Sequence, residues 1–422
     1  MSEKFKFQAI PRAAAKRWDA KEKSHKGEYI KYGEDNVFPQ HLIDLFNNSS
    51  IHNTCIQAIV DGIFGEGLTA NTSWVLDKAN NDGESWNDIF KKVALDRKVF
   101  GGFALEVIWS MDRSKIAEVY HIDFSMIRAK EKNYRGKVEG YYLSNEWREK
   151  GRFRLTADDL VYLPAFNEEN KWEHPSQLLY VQPYRPGQEY YPLPDYVGAL
   201  KVVELDAEVD NFHVNNVKNG LAPSLSITTF TNSNDEERRV IENMLRAQYG
   251  GTDNAGSLIY IDVASRDEMP EITPIPQNGA DGYYTSINEM VEQKVLTAHR
   301  ITSPMILGIK TPGQLGGKEE VIDAYLLLLN TVIKPFQQEI LDIFQMIFDI
   351  NYNGSVSLGI IQLKLFEDGE TEVDVVTATD AEVGEDSSLE ADIAEADRES
   401  GMLIDSPLAE GEAISTQLPS LV

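Results

Sequence analysis

SPMILGIKTPGQLGGKEEVIDAY, residues 303–325, joins an apolar run to a helix through a turn rich in glycine and flanked by Lys310 and Lys318. A phosphate-binding loop would occupy such a position, so this stretch decides between a nucleotide enzyme and something else. The Walker pattern aligned on Gly317 and Lys318 requires glycine at 312 and a hydroxyl at 319, and the chain supplies Pro312 and Glu319. A carboxylate at the magnesium position would also repel a triphosphate. The loop therefore reads as a flexible connector with two cations.

The surrounding segments say what it connects. Downstream, EEVIDAYLLLLNTVIKPFQQEILDIFQMIFDI is about 32 residues of helical pattern, apolar nearly all round. Pro335 is expected to kink it, because it lacks the N–H that would bond to residue 331. Upstream, SINEMVEQKVLTAHRI opens on a capping box from Ser286 to Glu289 and sets Ile287, Val291, Val295 and Ala298 on one face. An earlier helix carries Val202, Leu205, Val209 and Phe212 as a narrow seam, flanked by Lys201, Glu204, Glu208 and Asn211. Between these two helices lies a compact α/β insert: SLSITTF and SLIYIDV read as strands, with NDEERRVIENMLRAQYGG as a capped helix between them. The insert thus stands at the end of a two-helix stalk.

Towards the N-terminus, residues 35–68 give two short helices, the second with Ser49 or Ser50 as cap and Ile51, Cys55, Ile59 and Ile63 recurring every four residues. Ser85 to Gly102 is a further amphipathic helix. Residues 103–183 alternate like strands and read as a mainly antiparallel sheet. The fold class is α+β.

Composition narrows the function. The formal charge is −28 over 422 residues; residues 367–412 hold 17 acidic residues against Arg398 alone, a local −16 that leaves −12 for the rest. Such a chain is no tight nucleic-acid binder, since that affinity comes from Lys and Arg displacing counterions. The lone Cys55 excludes an intramolecular disulfide and reads as buried packing. Neither a signal peptide nor an apolar run of about 18 residues is found, so a protein made in the cytoplasm, without a membrane partner, is expected. GEGLTA at 65–70 matches a loose dinucleotide fingerprint, but it follows a helix where a strand is required, and helix termination explains it better. The histidines lack metal-ligand spacing, and His213 and His299, on the two stalk helices, read as solvated or inter-helical. Asp158 and Asp159 read as a turn. No cofactor, metal or catalytic group is expected, and the chain reads as no enzyme.

Three stretches together, residues 35–68, the segment AHRITSPMILGIKTPGQLGG and EEVIDAYLLLLNTVIKPFQQEI, resemble the portal proteins of tailed phages, and the order of elements between them is similar over roughly residues 30–350. The resemblance implies a homo-oligomeric ring of about twelve copies, closed by a heterologous interface, at one vertex of a virion capsid. Double-stranded DNA would be packaged and ejected through it, with a separate terminase, the major capsid protein and neck or adaptor proteins as partners. In family terms residues 1–192 would be the N-terminal wing, 193–219 the first stem helix, 220–279 the clip, 280–304 the second stem helix and 305–320 the tunnel loop. Residues 321–366 would return to the wing, and 367–422 would be an acidic tail or reduced crown. Lys310, Thr311, Gly313, Gln314, Leu315, Gly316, Gly317 and Lys318 would then face DNA, the lysines meeting phosphates transiently. A loop that merely joins two helices stays open as a reading, as do a nucleotide-binding enzyme using residues 308–318 and a non-portal capsid adaptor ring.

Overall fold

The computed structural model describes residues 20–25, 28–147, 160–218, 225–229, 236, 239–240, 258–262, 280–309, 318–363 and 375–377. The chain divides into two units, Met1–Ala378 and Thr379–Val422, and the second, with most of the expected acidic tail, lies outside the described residues.

The first unit begins with the hairpin β1 (Glu22–His25) and β2 (Tyr29–Tyr32), followed by helices α1 (Phe38–Asn48) and α2 (Ser50–Phe64). One residue, Ser49, separates the two helices. Its extended backbone ends α1, and its hydroxyl oxygen accepts from the His52 N–H to start α2. The repeat seen in the sequence is the buried face of α2, with Cys55, Ile56, Ile59 and Ile63 fully enclosed. Gly65 stops the helix at φ 59°, and a side chain there would meet the Ile361 carbonyl. β3 (Gly67–Ala70) follows, so the glycines at 65 and 67 serve helix termination and a strand start.

Helix α3 (Trp86–Phe100) carries the capping box formed by Ser85 and Asp88 and ends on Gly101 in the left-handed region. Strands β4 (Phe103–Trp109), β5 (Ile116–Ile122), β6 (Ile127–Ala129), β7 (Gly140–Leu143), β8 (Val161–Pro164) and β9 (Ser176–Val181) come next. They form two antiparallel three-stranded sheets, β5-β4-β9 and β6-β7-β8. β4 is the central strand and packs on α3; Phe103, Leu105 and Val107 are all enclosed.

The next elements are α4 (Leu200–Lys218), β10 (Leu225–Thr229), β11 (Leu258–Asp262) and α5 (Ala280–Ala298). β10 and β11 pair in parallel, which the long stretch of chain between them allows, and α4 packs beside α5.

The last part is one continuous helical run: α6 (Lys318–Leu328), a π turn (Leu329–Ile333) and α7 (Lys334–Tyr352). β12 (Leu358–Ile361) then pairs with β3 and with β13 (Val375–Thr377). Pro335 lies in the first turn of α7, and the irregularity it imposes is the π turn just before it, closed by the Lys334 N–H to the Leu329 carbonyl. That wider turn absorbs the lost proline donor without ending the helix. The π turn rests on α2 where Gly62 has no side chain: a Cβ there would lie 2.5 Å from Ile333 Cδ1. Gln337 fixes the same junction by donating to the Gly62 and Ile63 carbonyls at 3.2 and 3.0 Å, which satisfies acceptors that α2 leaves open at its end. The face of α7 made by Phe336, Ile340, Leu341, Phe344, Ile347 and Phe348 is core. On α6, by contrast, Leu326 and Leu327 are nearly half exposed.

Candidate functional site

Of the loop residues expected to face DNA, Lys310, Thr311, Gly313, Gln314, Leu315, Gly316 and Gly317 lie outside the described residues, and Lys318 opens α6. The arms on either side are described. Ser303 caps a 3-10 turn over Pro304–Leu307 by accepting from the Met305 N–H at 3.4 Å, and Gly308, at φ 77°, closes it. On the far side, Glu319 and Glu320 fall in the first turn of α6, where the helix dipole favours acid.

The residues expected to form a seam on α4 and α5 differ in burial. On α4 the enclosed positions are Val203 and Asp206; Val202 and Val209 are half-buried, Leu205 is 37% exposed, and the Phe212 side chain lies outside the described residues. On α5, Val291, Val295 and Leu296 are buried and Ile287 half-buried. The shift of one residue on α4 has a physical cause. α4 packs against α1 and α2 as well as α5, so its covered stripe turns towards the body. Asp206 is tolerated there because the Ser49 hydroxyl donates to its carboxylate at 2.7 Å. Burial, partly offset by that hydrogen bond, holds the Asp206 carboxyl above its ordinary pKa.

Where the end of α5 meets α2 and α3, the structure gathers a polar junction from four segments. Lys98, in the last turn of α3, is wholly enclosed and donates to both oxygens of Asp195 at 2.9 and 2.8 Å. Arg300, just beyond α5, donates to Asp195 Oδ2 at 3.2 Å. Burial opposes ionisation of Asp195, but Lys98 and Arg300 outweigh it and keep the carboxyl below its ordinary value. Burial pulls Lys98 down, against the pull of Asp195. Above this pair, His52 Nδ1 of α2 meets Nε2 of His299 at 2.9 Å, with the Tyr196 ring against both imidazoles. The Tyr196 hydroxyl donates to the Val99 carbonyl at 2.7 Å.

Both imidazoles are neutral. Burial, reinforced by Lys98, pulls His52 down to about 3 and His299 well below its usual value. One ring donates the shared proton and the other accepts it. His299 is thus inter-helical, joining α5 to α2, whereas His213 is exposed. The charges of this junction are paired, Lys98 and Arg300 with Asp195, and its two histidines share one hydrogen bond. It ties α2, α3, the segment at Asp195 and the end of α5 to one another. Among the described residues no three His, Cys, Asp or Glu side chains converge on a metal position. No described helix is long and apolar enough to cross a membrane.

Three solved structures contain chains similar to this one. One, "Virion of native gene transfer agent (GTA) particle", is 13% identical over 88% of this chain and 92% of that chain, with a TM-score of 0.49. A second, "Neck of empty GTA particle computed with C6 symmetry", is 11% identical over the same shares, also at 0.49. A third, "Neck of native GTA particle computed with C12 symmetry", is 13% identical over 87% and 92%, at 0.46. No family model and no curated protein matches the chain. At these identities and TM-scores the likeness carries no argument about what the chain does.

Sequence reasoning passed over Lys98, Asp195 and the partnership of His52 with His299. The available signal was a set of polar residues at the ends of helices whose neighbours, Val99, Phe100, Tyr196 and Ile301, are apolar. A charge in such a setting is either buried with a partner or exposed by a helix end, and spacing alone does not choose.

Proposed function

We propose that the chain is a portal subunit: a ring component at a virion vertex through which double-stranded DNA enters and leaves, without catalysis of its own. The observation that carries this reading is the order of elements from Leu200 to Tyr352. Two adjacent helices bracket a small parallel-stranded insert, a loop bearing lysine and glycine follows, and a long helix returns to the body. The apolar side chains left outside support it. Leu205 and Val214 on α4, Met290 on α5, and Leu326 and Leu327 on α6 are all more than a third exposed, which suits helices awaiting a neighbouring copy. In a closed ring each copy would present one face to the next in a heterologous contact. About twelve copies, with a terminase, the capsid protein and neck proteins as partners, complete the proposal.

Mass measurement of the purified protein, with electron-microscope class averages viewed down its axis, tests it. A hollow ring wide enough for duplex DNA is expected. A stable monomer at high concentration, or a thermal shift with magnesium and nucleotide, refutes it. A ring closed at its centre favours an adaptor instead.

A further inference from the structure

The chain leaves α5 through a left-handed residue, and that residue is arginine. The Ile301 N–H bonds to the Leu296 carbonyl and the Arg300 N–H to the Thr297 carbonyl, both at 3.0 Å, the two crossed bonds of a Schellman ending. Arg300 occupies its left-handed position at φ 58°. Glycine is the usual occupant there, since a Cβ makes this backbone unfavourable. Side-chain contacts hold the arginine in place. Nη2 donates to Asp195 Oδ2 at 3.2 Å, and Nη1 lies 3.5 Å from the Thr331 carbonyl. Thr331 is the residue four positions before Pro335, so its carbonyl is the acceptor that the proline deprives of a regular helical donor. One guanidinium therefore spans the carboxylate that precedes α4, the end of α5 and the Thr331 carbonyl of the π turn.

We propose that Arg300 is a latch: a positioning residue that fixes the direction in which residues 301–309 leave the stem relative to the π turn of the long helix. The inference concerns a single chain and goes beyond the ring reading, holding whether or not copies assemble. A fork suits the task, because a lysine ammonium is a single point charge and does not bridge two acceptors in fixed geometry. The side chain is half exposed, so the latch is of moderate strength and can open without unfolding the body.

Hydrogen exchange read by mass spectrometry on the purified full-length protein tests this, with Arg300→Gly and Arg300→Lys beside wild type. Glycine accepts the left-handed backbone, so Arg300→Gly should keep or raise the melting temperature. Exchange over residues 301–309 and 329–334 should nevertheless quicken on the order of threefold to tenfold. Arg300→Lys should give a smaller rise confined to the same segments. Unchanged exchange in both segments of Arg300→Gly overturns the latch. So does a rise spread equally through α2 and α3, which would mark general loosening.

Discussion

The two imidazoles between α2 and the end of α5 make the fold sensitive to acid. In the unfolded chain His52 and His299 take up protons below their ordinary value of 6.5; in the fold burial and Lys98 hold His52 down to about 3 and His299 well below its usual range. The unfolded state therefore binds more protons as pH falls, and stability present above pH 6.5 is lost on the way down. A pH of 5 lies about 1.5 units below the free value of a histidine, so His52 alone contributes a loss of about 2 kcal/mol, and His299 adds to it in the same direction. For a chain of this size that lowers the melting temperature by at least about 2 °C between pH 7.5 and 5. Asp96 and Asp206, whose carboxyls are held above their usual values mainly by burial, work the other way and set the baseline. Thermal melts of wild type and His299→Gln across this range provide the assay, the amide replacing one partner of the pair. The variant should keep about half the histidine-dependent slope. A wild-type melting temperature that is flat from pH 7.5 to 5, or an equal slope in the variant, refutes the reasoning.

Three further outcomes are expected. Gly65→Ala places a methyl group against the Ile361 carbonyl at positive φ and should cost about 2–4 kcal/mol in chemical denaturation, whereas Gly83→Ala, with open space around it, should cost only about 1 kcal/mol. Lys98→Met removes the enclosed partner of Asp195 and should destabilise by about 3 kcal/mol, with the carboxyl pKa rising when followed by NMR. Leu326→Glu with Leu327→Glu alters only half-exposed side chains, so circular dichroism should stay unchanged while the mass of the assembly falls to that of smaller species.

The regular parts of this molecule were readable because their signals are local. The repeat of Ile59, Ile63 and Cys55, the amphipathic pattern from Ser85 to Gly102, and the alternation along residues 103–109 each commit a short segment to one face, and each segment buries that face. Pro335 was legible as a disturbance, but its form was not, because a π turn is selected by what sits opposite: Gly62 leaves room for Ile333, and Gln337 reaches the end of α2. On α4 the positions covered within one chain lie beside the expected stripe for a similar reason. Periodicity locates a stripe that needs cover, while the choice between Val202 and Val203 depends on which neighbours arrive, and α1 and α2 approach from far away in sequence. The polar junction draws on residues 52, 98, 195 and 299–300, too widely separated for any spacing rule to join.

The π turn has a consequence for angular phase. Adding one residue to a helical turn rotates everything beyond it by about 100° relative to an uninterrupted spiral. Leu326 and Leu327 on one side and the Phe336 to Phe348 row on the other therefore answer to different compass bearings, though they belong to a single rod. Deleting one residue of the turn would re-index the first segment against the second and change which leucines the molecule displays.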